Sequence, residues 1–288
     1  MKTKTFPIAL AILSLLCSCK GAADRVIAPD SFIASLRYDG LKGDIEKYSE
    51  YSGEYTEGAT SLDLYSSLLE KEFDSEGRVT HERSVTASSK EETAYTYDSE
   101  GRLEKKVKSS GTASDTTRVL QRKGNTIRWI LSHVNPSSES YVKEVEESYE
   151  KDHLYRVTGS IAESPAEKPA TDEGDNRKNE DIEDLYFDED GRISKMLASY
   201  WHGPYAEKRS YDEEGFLNEL WTKDKWEERT IRYTILEKDS HGNPVLILAE
   251  DSKDGKKMLS RKITYRGKAT DPSFKVPSAA WERKRKRI

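Results

Sequence analysis

A seven-residue phrase recurs along the chain, and its spacing restricts the folds that the chain can adopt. The copies are "FDSEGRV" at 73–79, "YDSEGRL" at 97–103, "FDEDGRI" at 187–193 and "YDEEGFL" at 211–217. Asp74 and Asp98 are 24 residues apart. This interval has the length of one β-hairpin with its two turns, because strands usually have about five to ten residues. The spacing therefore predicts tandem hairpins that pack on their neighbours.

Each copy of the phrase is predicted to be a hairpin turn. Asp suits the first position of a type I turn, and Gly suits the left-handed position that closes a three-residue loop. In one copy, Ser99, Glu100 and Gly101 form the loop, and Asp98 faces Arg102. The structural turn residues predicted in this way are Asp74, Gly77, Asp98, Gly101, Asp188, Gly191, Asp212, Gly215, and Asp239 and Gly242 of "KDSHGNPV".

Alternating side chains on both sides of the turns predict strands. Tyr95, Tyr97, Leu103 and Val107 are expected to share one face, interrupted by Lys105. Only 34% of the residues are apolar and 35% are charged, whereas typical domains have about 45–50% and about 25%. We therefore predict an all-β, antiparallel meander of hairpin repeats of about 24 residues, forming an elongated or curved single sheet over 37–268.

The phrase resembles the tyrosine–aspartate repeat of Rhs-type bacterial proteins, Y-D-x-x-G-R-[LV]. "YDSEGRL" matches that pattern at every defined position, two copies have Phe for Tyr, and "YDEEGFL" lacks the Arg, so its ion pair is expected to be absent. Similar degenerate copies resemble those of small envelope lipoproteins of the Bacteroidetes type. Large members of the repeat family wind into hollow β shells, and with about eight units this chain is expected to be too short to enclose much.

The N-terminus is predicted to be an export signal that ends in a lipid attachment site. Lys2 and Lys4 precede an apolar stretch too short to span a bilayer. "LCSC" at 16–19 resembles the lipobox of bacterial lipoproteins, which implies cleavage after Ser18 and lipidation of Cys19. The predicted segments are then a signal peptide at 1–18 and a lipidated tether at 19–36. The alternative is an ordinary signal peptide that is cut nearby.

Cysteine usage agrees with this interpretation. The chain has two cysteines, Cys17 and Cys19, so the mature body is expected to have neither a disulfide nor a thiolate metal site. Lys20 differs from the Asp associated with inner-membrane retention in enteric bacteria. The predicted location is therefore the bacterial cell envelope, lipid-anchored at the outer membrane through acylated Cys19, with the leaflet left open.

Two segments interrupt the hairpin rhythm. The stretch 160–184 is acidic and poor in apolar residues, which predicts a disordered insertion, with calcium capture as the alternative. Residues 269–288 are predicted to be a tail, and its basic run "RKRKR" at 283–287 is interpreted as solvated or as a contact for anionic lipid headgroups. The net charge of −6 argues against nucleic acid as a partner.

The sequence carries no recognised catalytic, metal or cofactor motif. The five histidines lack zinc-site spacing, and the Gly-rich phosphate loops and the G-x-S-x-G elbow are absent. Aligning "DED" before Gly191 with an EF-hand loop places Tyr186 at the first ligand position, so the match fails. We predict no cofactor, no metal and no enzyme activity.

Aromatic residues provide the remaining candidate site. Trp201, Tyr205, Trp221 and Trp226 are a candidate ligand platform, with coverage of a thin sheet as the alternative. If 222–225 form a four-residue loop, Trp221 and Trp226 oppose each other. The predicted function is a membrane-anchored, non-catalytic binding or interaction module for a glycan or a protein. The alternatives are a glycan-acting hydrolase that uses surface carboxylates and a structural spacer.

Overall fold

Antiparallel strands make up nearly all of the computed structural model, which describes residues 40–137, 140–150, 153–160, 181–200, 203–268 and 273–281. Their bounds are β1 Ile45–Glu54, β2 Leu64–Tyr65, β3 Ser67–Phe73, β4 Val79–Thr86, β5 Lys90–Tyr97, β6 Leu103–Ser110, β7 Ala113–Lys123, β8 Thr126–Val134, β9 Tyr141–Glu150, β10 His153–Ser160, β11 Asp181–Phe187, β12 Ile193–Tyr200, β13 Gly203–Tyr211, β14 Leu217–Lys223, β15 Glu228–Lys238, β16 Pro244–Asp251, β17 Gly255–Tyr265 and β18 Ser278–Ala279.

Sixteen of the described strands close into a barrel. Each strand from β3 to β17 pairs with the next, and β1 completes the ring by pairing with both β17 and β3. The predicted all-β antiparallel meander is confirmed, whereas the predicted elongated or curved single sheet is wrong, because the sheet closes into a barrel. In an open sheet, the backbone N–H and C=O groups along the two edge strands would lack partners. Closure pairs β1 with β17, so these groups are hydrogen-bonded to each other.

A repeated irregularity explains why the sheet closes. In five hairpins the second strand has one extra residue just after the turn, which the opposite strand does not match. These residues are Thr80, Glu104, Ser194, Asn218 and Val245. Such a bulge bends its strand and increases the local twist. Each repeat therefore adds a similar bend, and the meander curls until its last strand meets its first.

The same bulge corrects the predicted face of β6. Tyr97 pairs with Leu103, but Thr96 pairs with Lys105, so the alternation shifts by one residue. Tyr95 consequently lies opposite Lys106, and both face the interior. Val107, which was predicted to share the face of Tyr95, points outward instead.

The Asp–Gly turns all lie at one end of the barrel, here called the turn rim. In one of them, Asp98 N donates to Arg102 O at 2.9 Å and Gly101 N donates to Asp98 O at 3.0 Å. The Asp98 carboxylate accepts from the backbone N–H of Glu100 and from Arg102 Nε. Gly101 has a φ of +79°, where a Cβ would be strained. Hydrogen bonds from the Arg102 backbone and side chain lower the pKa of Asp98.

Neighbouring repeats are joined at the turn rim by a tyrosine and an arginine. The Tyr97 hydroxyl donates to Val79 O of the preceding repeat at 2.6 Å, and the Arg78 guanidinium lies 4.7 Å from the Tyr97 ring centroid. Tyr211 and Arg192 repeat the arrangement, with the hydroxyl 2.8 Å from Ile193 O and the guanidinium 4.5 Å from the ring. The Tyr and Arg of the phrase therefore connect one hairpin to the next.

The interior beside the turn rim is filled by apolar side chains from facing walls. The buried cluster consists of Leu41, Ile45, Tyr48, Phe73, Val79, Leu103, Ile127, Trp129, Tyr149, Leu154, Leu185, Phe187 and Ile263. Round barrels with this many strands leave an open channel. Here the walls approach each other closely enough for side chains to touch, so the turn rim is packed shut.

The outer face of the wall carries ion pairs in the middle of its strands. Glu70 contacts both Lys47 at 3.5 Å and Arg83 at 2.8 Å, and Arg232 contacts Glu219 at 3.1 Å. These side chains alternate along their strands with residues that face the interior. The wall is therefore thin, with one packed face and one charged face, as the low apolar content predicts.

A second apolar cluster covers part of the outer face, where the predicted tail is partly structured. β18 pairs with β2 in parallel, and Phe274 and Trp281 contact the rings of Tyr51 and Tyr65 at centroid distances of 6.1 and 5.1 Å. Residues 273–281 therefore pack on the barrel rather than extending from it.

The predicted acidic insertion 160–184 overlaps described strands at both of its ends. Ser160 ends β10, and 181–184 lie in β11, because Glu183 pairs with Arg156 inside the barrel. The signal peptide, the tether 19–36 with Cys19, residues 161–180, the run 283–287 and Trp201 lie outside the described residues. No helix within the described ranges is long and apolar enough to cross a membrane.

Candidate functional site

Three inward-facing glutamates, two of them buried and Glu50 half-buried, organise the polar part of the barrel interior. Glu50 Oε2 accepts hydrogen bonds from the Tyr48 hydroxyl at 2.6 Å and from Arg261 Nε at 2.8 Å. The other two networks are Glu147 with Tyr149 and Arg156, and Glu207 with Tyr205 and Arg209. In each network the Tyr lies two residues from its Glu, so that both side chains point inward from one strand.

Both carboxylate oxygens of Glu147 accept hydrogen bonds, Oε2 from the Tyr149 hydroxyl and Oε1 from Arg156. Arg156 lies between Glu147 and Glu183, with nitrogen–oxygen distances of 2.6 Å to both. Burial opposes the charge of Arg156, but the two carboxylates raise its pKa. Burial lowers the pKa of Lys106, and the Arg156 charge adds to this effect. The ion pairs in this half of the barrel therefore hold neighbouring strands of the wall together.

The other half of the barrel contains a cavity of about 420 Å³ between β1 and β13–β17. Its apolar wall consists of Ile231, Ile235, Ile247 and Leu259. Leu41 and Phe216 line it near the turn rim, and Asp251 and Lys257 line it at the opposite rim. Lys257 is exposed, so the cavity meets solvent at that end, here called the mouth.

Charged and hydroxyl groups face this cavity at mid-depth. Arg261 and Arg209 line it, and each is held by its own glutamate. Burial opposes ionisation of Glu50, but the Arg261 charge and hydrogen bonds from Tyr48 and Arg261 lower its pKa. Burial raises the pKa of Tyr233, and the nearby Glu50 charge raises it further. The Tyr233 hydroxyl has no hydrogen-bond partner among the described residues.

The chain itself closes the cavity at the turn rim. Residues 40–44, here called the plug, cross this rim before β1 begins, and Leu41 reaches the cavity. Asn243 is fully buried. Its Oδ1 accepts from Lys42 N at 2.7 Å, and its Nδ2 donates to Lys42 O and to the Tyr265 hydroxyl, both at 2.8 Å. Lys42 Nζ also pairs with Glu214 at 3.1 Å. The plug is therefore fixed by polar contacts and by one apolar side chain.

The predicted aromatic platform is not assembled from its described members. Tyr205 faces the interior and donates to Glu207, whereas Trp221 faces outward and donates to Glu228 at 3.0 Å. Trp226 lies in the loop after β14 and is 67% exposed. Trp221 pairs with Thr230 rather than opposing Trp226, because the loop is 224–227, two residues later than predicted.

The predicted turn residues are distributed over five hairpins around the turn rim and do not converge on the cavity. Glu50, Arg209, Tyr233 and Arg261, which do converge there, were not predicted. A tyrosine two residues from a glutamate recurs in the sequence and is a usable signal, but it becomes informative only when the inward face of each strand is known. Within the described part of the chain, no group of three His, Cys, Asp or Glu side chains could hold a metal ion.

The fold and the site define a closed antiparallel β-barrel with an internal cavity that is shut at one rim. No protein-family model and no curated protein matches the chain. A porin-like protein from Bacteroides vulgatus is similar at a TM-score of 0.41 and 11% identity, over 79% of this chain and 100% of that chain. A porin-like protein from Bacteroides uniformis has a TM-score of 0.28 and 8% identity, over 76% of this chain and 96% of that chain.

Proposed function

We propose that the chain is a lipid-anchored, non-catalytic binding protein of the bacterial cell envelope that takes a small molecule into the barrel cavity. The observation that carries this proposal is the cavity itself. Its volume of about 420 Å³ lies within the range of about 300–1,000 Å³ that is usual for ligand sites. It combines an apolar wall with a few polar groups, as such sites do.

The electrostatics of the cavity favour binding over hydrolysis. A glycan hydrolase needs one carboxyl group that stays protonated to act as the general acid, and hence a raised pKa. The two carboxyl groups that line this cavity, Glu50 and Asp251, are both held by arginines, and both have lowered pKa values although burial opposes this. Both therefore remain ionised and paired at neutral pH.

We infer attachment to the membrane through the lipid on Cys19 rather than through the strands. A membrane-spanning barrel needs an apolar outer band, and an Arg or Lys facing lipid costs about 2–4 kcal/mol at the midplane. Ion pairs such as Arg83–Glu70 lie on the outer face instead. The described chain enters the barrel at the turn rim, at the end opposite the mouth.

The anchor is tested by paired cysteine substitutions. Cys19→Ala should move the protein from the membrane fraction into the soluble fraction, whereas Cys17→Ala should leave it with the membranes. Continued detergent dependence of the Cys19→Ala protein would contradict the lipid anchor.

Ligand-observed NMR tests the cavity with a panel of neutral sugars, amino acids, nucleosides and fatty acids. Ser67 lines the cavity at the mouth, so Ser67→Trp should block it and abolish binding. Thr116 lies on the outer face of β7, and Thr116→Trp is the matched control that should bind normally. The proposal fails if no class of the panel binds, or if Ser67→Trp leaves binding unchanged.

A further inference from the structure

We infer that the ligand of the barrel cavity is an uncharged carbohydrate of one or two rings; this inference rests on the proposed function. It depends on how the polar groups of the cavity are already paired and on which of them remain open.

The charges that line the cavity inside its mouth are paired within the protein, whereas Lys257 at the mouth is exposed and lies 3.8 Å from Asp254. Arg261 is paired with Glu50 at 2.8 Å, Arg209 with Glu207 at 2.5 Å, and Asp251 with Arg229 at 3.0 Å. A charged ligand would have to draw one member of a pair away and leave the other buried without a partner, which is strongly unfavourable. The cavity is therefore better suited to a neutral molecule than to an anion or a cation.

Hydroxyl groups and open acceptor positions remain for such a molecule. Glu50 lines the cavity, and the hydrogen bonds to it from the Tyr48 hydroxyl and Arg261 Nε both reach Oε2 rather than Oε1. The hydroxyls of Tyr233 and Ser67 line the cavity and have no hydrogen-bond partner among the described residues. A hydroxyl both donates and accepts, and a carboxylate oxygen accepts. Ligand hydroxyls can satisfy each of these positions.

The shape and the apolar wall agree with this chemistry. The cavity volume of about 420 Å³ leaves room for a mono- or disaccharide. The tyrosine rings and the isoleucines of the wall suit the C–H faces of a sugar ring, while Glu50 and Tyr233 face its hydroxyl edge. A fatty chain would leave those polar groups unpaired.

Two interior tyrosines provide a matched pair for the test. Tyr233 lines the cavity, and Tyr95 lies inside the opposite half of the barrel. Neither hydroxyl has a hydrogen-bond partner among the described residues, so either Tyr→Phe change should leave the fold intact. Calorimetric titration of the full chain with glucose, galactose, mannose, N-acetylglucosamine, maltose, cellobiose and lactose should show binding of at least one sugar. Tyr233→Phe should weaken it about five-fold, and Tyr95→Phe should not change it.

The outcomes separate this inference from the proposed function. Sugar binding that is weakened by Tyr233→Phe and by Ser67→Ala, but not by Tyr95→Phe, supports the carbohydrate. If amino acids or fatty acids bind instead and Ser67→Trp blocks them, the cavity is a binding site and the carbohydrate is wrong. If sugars bind equally well to the Tyr233→Phe and Tyr95→Phe proteins, the sugar lies elsewhere and the inference also fails.

Discussion

Replacing Gly101 by alanine tests the turn and the contact between repeats together. Gly101 has a φ of +79°, and a Cβ at this position would lie 2.4 Å from Arg78 Nη1. The added methyl group must therefore strain the backbone and push the Arg78 guanidinium away. Arg78 is the group that stacks on Tyr97 and pairs with Asp74 at 2.7 Å.

The expected loss is the sum of these two effects. A left-handed conformation costs a non-glycine residue about 1–2 kcal/mol. Displacing Arg78 from the Tyr97 ring removes a cation–π contact worth about 0.5–1 kcal/mol at an exposed site. Gly101→Ala should therefore lower the free energy of unfolding by about 1.5–3 kcal/mol.

Gly111 is the matched control, since it has a φ of +59° and no atom would lie within 4 Å of its Cβ. Gly111→Ala should show the backbone cost alone. Urea unfolding followed by tryptophan fluorescence measures both losses, and each 1 kcal/mol corresponds to about 2–4 °C in Tm for a protein of this size. Equal losses would show that Arg78 contributes nothing across the repeats, and no loss in either variant would refute the left-handed turns.

Three further predictions concern the plug, the repeat contacts and pH. Asn243→Ala leaves the backbone N–H and C=O of Lys42 without their partner. It should therefore lower the free energy of unfolding by about 2–3 kcal/mol and speed hydrogen exchange at Lys42. Unchanged exchange would show that other contacts hold the plug. Tyr97→Phe and Tyr211→Phe should each cost about 1 kcal/mol in urea unfolding, and clearly unequal values would contradict equivalent repeats. The pKa of Glu50 in the folded protein is lowered from 4.5, so the ionised carboxylate stabilises the fold fully above that pH. This stabilisation is lost as the pH falls below that value. Glu50→Gln should therefore reduce the acid sensitivity of the urea midpoint.

The local geometry of the repeats could be predicted from the sequence because it depends on neighbouring residues. Asp98 and Gly101 are three positions apart. The Asp98 carboxylate accepts backbone N–H groups, and Gly101 has no Cβ, and these two properties specify the loop almost completely. The same spacing, repeated, also specifies a meander. These inferences need no contact between distant segments.

Closure and the cavity could not be predicted in this way. The bulge at Glu104 reverses the inward and outward faces of β6 beyond it, and no single residue type marks it. Glu50 and Arg261 are separated by 211 positions and meet only because β1 pairs with β17. Their side chains look like surface charges in the sequence, since alternation assigns a face only when the register is known.

Pairing between β1 and β17 is the contact on which the barrel, and therefore the cavity, depends. Ser49 and Lys262 are direct partners across this seam on the outer face. Their Cα atoms are expected to lie about 4.5–5.5 Å apart, within the range that a disulfide can bridge. In a chain with Cys17→Ser and Cys19→Ser, the pair Ser49→Cys and Lys262→Cys should form an intramolecular disulfide on mild oxidation, seen as faster migration on a non-reducing gel. The control pair Ser49→Cys and Ser109→Cys should not form one. Failure of the Ser49–Lys262 pair to crosslink in the folded protein would mean that β1 and β17 are free edges and that the barrel is open.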